Sequence, residues 1–244
     1  PNPQSPIPNP QSPWILDAIR HAIIKHFKKI GANIDCSSIN EVKLALHAGF
    51  PANQVLYTSN GIAFDEIEEA KNLGVFINID SLSNLEKFGK AFENSYPVGL
   101  RLRPNIMAGG NLKISTGHDK SKFGIPVDQI HEVVAIVQAH NMLINGLHIH
   151  TGSEIKDVDV FVKGIEVLFD LIPLFKDLAY IDLGGGFKVP YKKGDIETNI
   201  EELGKKLTKR FLAFEKEYGR TLTLAFEPGK FLVSEAGYFL AKVN

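Results

Sequence analysis

Short β-branched apolar runs alternate with longer helical patterns along most of the chain, and this alternation restricts the fold more than any other feature. The strand candidates are ANIDCSS near residue 32, QVLYTSN near 54, VFINIDS near 75 and VGLRLRP near 98, then INGLHIHT near 144, AYIDLGGG near 179 and LTLAFEPG near 222. Between them lie the helical patterns INEVKLALHAG, AFDEIEEAKNLG, SLSNLEKFGKAF, VDQIHEVVAIVQAHN, VDVFVKGIEVLFDLIPLF and NIEELGKKLTKRFLAFEKEYG. Several carry apolar residues at i, i+3 and i+4 and stop at Gly or Asn, as helices do. The first four strands start about 20 to 23 residues apart, the length of one strand–helix unit. Such alternation implies parallel strands joined by right-handed crossovers. Seven strands are too many for a half-Rossmann unit and one short of a closed (β/α)8 barrel, so the expectation is an α/β, TIM-type barrel missing its first strand.

The ends of the chain do not supply that strand. PNPQSPIPNPQSP, residues 1–13, has five prolines in its first ten positions and forms neither a helix nor a central strand. It reads as a leader or linker, with the barrel occupying 14–244 and opening on one helix, WILDAIRHAIIKHFKKIG. GYFLAKVN, at the other end, reads as a strand cut at the start of a further domain. With 244 residues, 44% of them hydrophobic, one such barrel has an adequate core. A net charge of −1 provides no global field for nucleic acid or an anionic membrane. Cys36 is the only cysteine, which excludes an internal disulfide. With no signal pattern and no run of about 18 apolar residues, the expected location is the cytoplasm.

In parallel barrels chemistry collects at the C-terminal strand ends. Three glycines after YIDL, Gly184, Gly185 and Gly186, leave the backbone free to turn sharply and aim N–H groups into a concavity, as phosphate sites require. A plain tight turn is the alternative. Phe187, Lys188 and Val189 follow, so no G-x-G-x-x-G exists, and EPGKF lacks the glycine and hydroxyl of a P-loop. Glu227, closing the apolar run LTLAF, needs a partner to offset its desolvation. That partner is either a neighbouring Lys or Arg, or a protonated ring nitrogen kept charged by the carboxylate.

His148 and His150 share one face of their strand by the period of two. They read as a satisfied core pair, as a metal-binding H-x-H, or as a ring stacked on a flat cofactor. A metal site would want more His or Asp at other strand ends, whereas the last two strands offer glycines and a single Glu, so no metal is expected. A stacked imidazole beside a phosphate-binding Gly-Ser step is more economical. Backbone amides for a phosphate, a histidine for a ring face and a glutamate for a ring nitrogen together specify a flat, phosphorylated, nitrogen-heterocyclic cofactor, a description that pyridoxal phosphate fits.

At these residues a family resemblance becomes specific. GLHIHTGSEI, YIDLGGGF and FEPGKFLVSEAG, in that order, resemble the fold-type III pyridoxal-phosphate decarboxylases, which share the alanine-racemase-type barrel. GANIDCSSINEVKLALHAGF, INIDSLSNLEKF, LRLRPNI and KISTGHDKSKFGI resemble the intervening segments, so the likeness runs from about Ile23 to Asn244. It implies that His150 stacks on the cofactor ring, Ser153 and Gly184–Gly186 hold the phosphate, and Gly229 lies close to it. Glu227 would pair with the ring nitrogen, making it and His150 the catalytic pair, while Asp35 and Arg101 would line the pocket. The implied reaction is decarboxylation of meso-2,6-diaminopimelate to L-lysine by a homodimer. Decarboxylases of carboxynorspermidine, ornithine or arginine, a non-catalytic relative and a His148/His150 metal hydrolase are the alternatives.

Three departures qualify the implication. The family's cofactor-bearing lysine, in a YALKAN-like segment ending strand one, has no counterpart here. The EPGR arginine expected to bind a substrate carboxylate is Lys230, which keeps the charge but loses the two-pronged geometry. The family's C-terminal β-domain is likewise absent from these residues.

Overall fold

The computed structural model describes residues 22–106, 117 and 121–237. The leader at 1–13 and the strand-like run after Gly237 lie outside the described residues.

All seven expected strands form: β1 (Ile34–Cys36), β2 (Val55–Thr58), β3 (Phe76–Ile79), β4 (Val98–Arg103), β6 (Ile144–Ile149), β7 (Tyr180–Asp182) and β8 (Thr223–Ala225). A two-residue strand, β5 (Ile125–Pro126), was not anticipated, because two residues carry no readable period. Every pairing is parallel, in the order β1-β2-β3-β4-β6-β7-β8, with β5 added on β4. Among the described residues β1 and β8 are the two edges of this half-barrel sheet.

Helices Ile39–His47, Phe64–Asn72, Leu82–Phe92, Ile130–Ala139, Asp159–Leu171 and Ile200–Tyr218 separate the main strands. Their starts follow local chemistry. Ser38, Ser81 and Asn199 each accept a backbone N–H three residues on, from Glu41, Asn84 and Glu202. The last helix stops at Gly219, at φ 74, where the left-handed turn suits glycine. The pattern VDVFVKGIEVLFDLIPLF ends its α-helix at Leu171 and tightens to a 3₁₀ turn around Pro173.

Strand parity separates two chemistries. Leu100, Leu147 and Ile181 form one cross-strand row, fully buried with Val42, Leu85, Val133 and Ile165 of the helices in one apolar core. Burial of such side chains contributes roughly 1.5–3 kcal/mol each. The opposite face is polar. Pairing aligns Thr58, Asn78, Gly99, Gly146 and Tyr180 in one row, and Arg101, His148 and Asp182 in the next row toward the strand ends.

Tyr180 spans the first of these rows. Its hydroxyl donates to Asn78 Oδ1 at 3.0 Å, and Asn78 donates to Thr58 Oγ1 at 3.0 Å. The phenol lies over Gly146, where a Cβ would come within 2.0 Å of the ring, and its oxygen is 2.6 Å from a Cβ built on Gly99. The two glycines thus make room for a brace that floors the polar face. Tyr180→Phe leaves the buried Asn78 oxygen without its donor and is expected to cost about 1–3 kcal/mol in urea unfolding. A loss within error would show that the brace is not used.

Candidate functional site

Three consecutive strand ends are sewn together by the glycine turn. Gly184, at φ 67, lies against β6: a Cβ there would meet His150 Nδ1 at 2.5 Å. Gly185 lies against the turn after β8, its Cβ position 2.1 Å from the Glu227 carbonyl oxygen. Gly186, at φ 91, lies 1.8 Å by the same measure from the Gly152 carbonyl oxygen. Hydrogen bonds follow the same seams. Gly185 N–H donates to His150 Nδ1 at 3.1 Å, Glu227 N–H to the Gly184 carbonyl at 2.9 Å, and Ile155 N–H to the Gly186 carbonyl at 3.0 Å. The side chains of His150 and Glu227 are thereby brought to one place with the turn.

His150 accepts through Nδ1, so its neutral ring carries the proton on Nε2. Burial first, then the nearby His148 charge, lower its pKa to about 4, and the imidazole is uncharged at neutral pH. A base with a depressed folded pKa supports stability above its unfolded value of about 6.5. That support is lost as pH falls toward 4. His150→Gln should therefore remove part of the fall in unfolding free energy between pH 7 and 4.5. Equal pH slopes for the two proteins in urea titrations would contradict this.

His148 is fully buried, and its Nε2 lies 3.3 Å from Glu227 Oε1. Burial lowers its pKa, but the Glu227 carboxylate beside it, with Asp182 behind, outweighs this and raises the pKa overall. Glu227 shows the mirror image: burial favours its neutral form, His148 opposes this, and the net pKa is low. The contact is off-axis, and Glu227 Oε1 has no hydrogen-bond partner in good geometry. A buried carboxylate oxygen lacking a directed donor fits the N–H of a protonated heterocycle. The sequence reading offered Glu227 a Lys or Arg partner; the structure gives it a histidine, because period two places His148 opposite the end of β8.

The surroundings are acidic. Asp182, 3% exposed, has its pKa raised to about 6 by burial and then by the Glu227 charge. Asp35 borders the open edge at β1, where water reaches it. Many protein atoms crowd its carboxyl, and this desolvation followed by Glu227 raises its pKa. Arg101 supplies the compensating cation, its guanidinium 5.1 Å from the Phe123 ring centroid, with desolvation lowering its pKa. Asp80 adds to the field at Arg101 and accepts from Asn60 Nδ2 at 2.6 Å. A cluster of strand ends with surplus carboxylates favours a cationic ligand ring.

More than a single Glu stands near the histidines. One ligand atom each of His148, Asp182 and Glu227 lies within 4.8 Å of the others.

The remaining expected residues sit around this centre. Ser153 follows Gly152 in the turn touching Gly186. Gly229 opens the short helix Gly229–Val233 and donates to the Glu227 carbonyl at 2.8 Å. Lys230 is engaged by protein. Its ammonium contacts the Glu154 carboxylate and donates to the Tyr191 hydroxyl at 2.8 Å. Glu154, at φ 61, also accepts from Tyr191 at 2.7 Å and pairs with the buried Lys188 at 3.1 Å. Burial raises its pKa, but these three donors prevail and hold it near 2. Sequence reasoning missed Asp182, Glu154, Lys188 and Tyr191. Asp182 carried a readable signal, a carboxylate inside the apolar run YIDL, whereas the Glu154–Tyr191 pair joins loops 37 residues apart.

Comparison with known proteins identifies a family. Residues 18–234 match a family described as pyridoxal-dependent decarboxylase, pyridoxal binding domain. A diaminopimelate decarboxylase of Methanothermobacter thermautotrophicus is 32% identical over 229 residues, covering 91% of this chain and 54% of that protein. One from Neisseria meningitidis is 32% identical over 233 residues, with the same coverage. The Helicobacter pylori diaminopimelate decarboxylase solved with L-lysine superposes with a TM-score of 0.74 at 26% identity, over 86% of this chain and 54% of that one. The chain spans about half the length of the curated relatives it matches.

Proposed function

Because this chain belongs to the pyridoxal-dependent decarboxylases, through their pyridoxal-binding domain, we propose that it serves the decarboxylation of meso-2,6-diaminopimelate to L-lysine. When bound, pyridoxal 5'-phosphate supplies the electron sink for the pair left behind by CO2. The chain's residues hold that sink in place. Glu227 keeps a negative charge against the ring nitrogen, so that the nitrogen retains its proton. His150 presents an uncharged imidazole to the ring face, and its Gly185 hydrogen bond fixes the ring's orientation. Ser153, Gly184, Gly185, Gly186 and Gly229 surround the phosphate, although the amides of Gly184, Gly185 and Gly229 are already given to Asp182 Oδ1, His150 Nδ1 and the Glu227 carbonyl, and Asp35 and Arg101 line the pocket. Lys230 meets a substrate carboxylate once Glu154 releases it. The enzyme works as a homodimer in the cytoplasm. Among the described residues no helix is long and apolar enough to cross a membrane.

The observation that carries this reading is the junction of His150, Gly184–Gly186 and Glu227, which hydrogen bonds tie into one unit. The Helicobacter pylori relative solved with L-lysine supports the substrate. The test is CO2 release from meso-diaminopimelate, ornithine and arginine by the protein carrying the family's cofactor-bearing lysine, alongside retention of pyridoxal phosphate on dialysis by this chain. Release fastest from meso-diaminopimelate is expected. Faster release from ornithine or arginine would reassign the substrate, and failure to retain the cofactor would remove the reading altogether.

A further inference from the structure

We infer that Asp182 is a positioning residue. One of its oxygens holds the turn at Gly184, and its negative charge holds the His148 imidazole as the cationic partner of Glu227. The geometry carries this. Asp182 ends β7 in direct register with His148 on β6, which is itself in register with Arg101 on β4. Its Oδ1 accepts the Gly184 N–H at 2.8 Å, immediately before the glycine whose own N–H orients His150. Asp182, His148 and Glu227 each bring an atom within 4.8 Å of the other two.

The hydrogen bond alone does not require an aspartate. An asparagine carbonyl would accept the Gly184 amide without the desolvation cost of a buried charge. The charge therefore acts on something else, and its cationic neighbour is His148. The groups facing the cluster are Asp35 from β1, Thr58 from β2, Asp80 after β3, Arg101 from β4, His148 from β6 with His150 just after it, Tyr180 from β7 and Glu227 after β8. Of these, His148 is the titratable one aligned with Asp182 and paired to Glu227. Asp182 thus serves both sides of the site, the phosphate-side turn through its hydrogen bond and the ring-nitrogen side through the His148–Glu227 pair. The consequence for cofactor binding rests on the pyridoxal phosphate reading; the coupling of Asp182 to His148 does not.

The experiment is an NMR titration of the His148 ring in the whole chain without cofactor, assigned with His148→Gln, for wild type and Asp182→Asn. Asp182→Asn is expected to keep the fold and the Gly184 bond while moving the His148 midpoint down. Pyridoxal phosphate affinity, measured separately by equilibrium dialysis, should fall about tenfold, the loss of one charge-assisted contact. Wild type alone offers a second reading: the Asp182 carboxyl carbon and the His148 ring should each show an inflection in the other's titration range. An unchanged His148 midpoint in a folded Asp182→Asn chain, or wild-type titrations without shared inflections, would overturn the inference. Shared inflections with no cofactor affinity in wild type would uphold it and defeat the cofactor reading instead.

Discussion

In the protein carrying the family's cofactor-bearing lysine, Glu227→Gln lowers pyridoxal-phosphate-dependent CO2 release on the order of 10²- to 10³-fold, the usual effect of removing one preorganised electrostatic contact. Glutamine has nearly the same shape, so packing beside His148 survives, but it carries no charge to keep a ring nitrogen protonated. His148 then loses the chief influence raising its pKa, and the pair becomes neutral on both sides. Two measurements separate this from simple unfolding: thermal midpoints of the two proteins, and cofactor content after dialysis. A Glu227→Gln protein with normal cofactor content and a rate within threefold of wild type would eliminate the proposed role of this carboxylate.

Gly186→Ala is expected to destabilise the chain by about 3 kcal/mol or more and to weaken cofactor retention with it. Two costs combine. The residue sits at φ 91, where a side chain strains the backbone by about 1–2 kcal/mol. The new Cβ would also meet the Gly152 carbonyl oxygen at 1.8 Å, and backbone packed from both sides cannot yield as a flexible side chain does. Gly204 is the control. It lies within the helix Ile200–Tyr218 with nothing inside 4 Å of a built Cβ, so Gly204→Ala should stabilise by about 0.5–1 kcal/mol. Urea unfolding of both variants checks the pair. If Gly186→Ala unfolds like wild type, the turn is not the seam between β6 and β7 that the distances indicate.

Alternation of period-two and period-3.6 runs was enough to place seven strands and six long helices, because each strand–helix unit encodes its own burial pattern locally. The same local logic exposed Glu227, His148, His150 and the three glycines, since a carboxylate, two imidazoles or a bare backbone at the end of an apolar strand is conspicuous wherever it occurs. Partners were another matter. That Glu227 meets His148 rather than a lysine or arginine, that Asp182 joins them, and that Lys230 is held by Glu154 and Tyr191 depend on which strands become neighbours and in what register. Tyr180 reaching across two glycines to Asn78, 102 residues earlier in the chain, is of the same kind. Sequence determines which groups stand at the strand ends because periodicity is a property of adjacent residues. Pairing distances and the charges they perturb arise only when parallel register brings remote strands within a few ångströms, and that was decided by the tertiary structure.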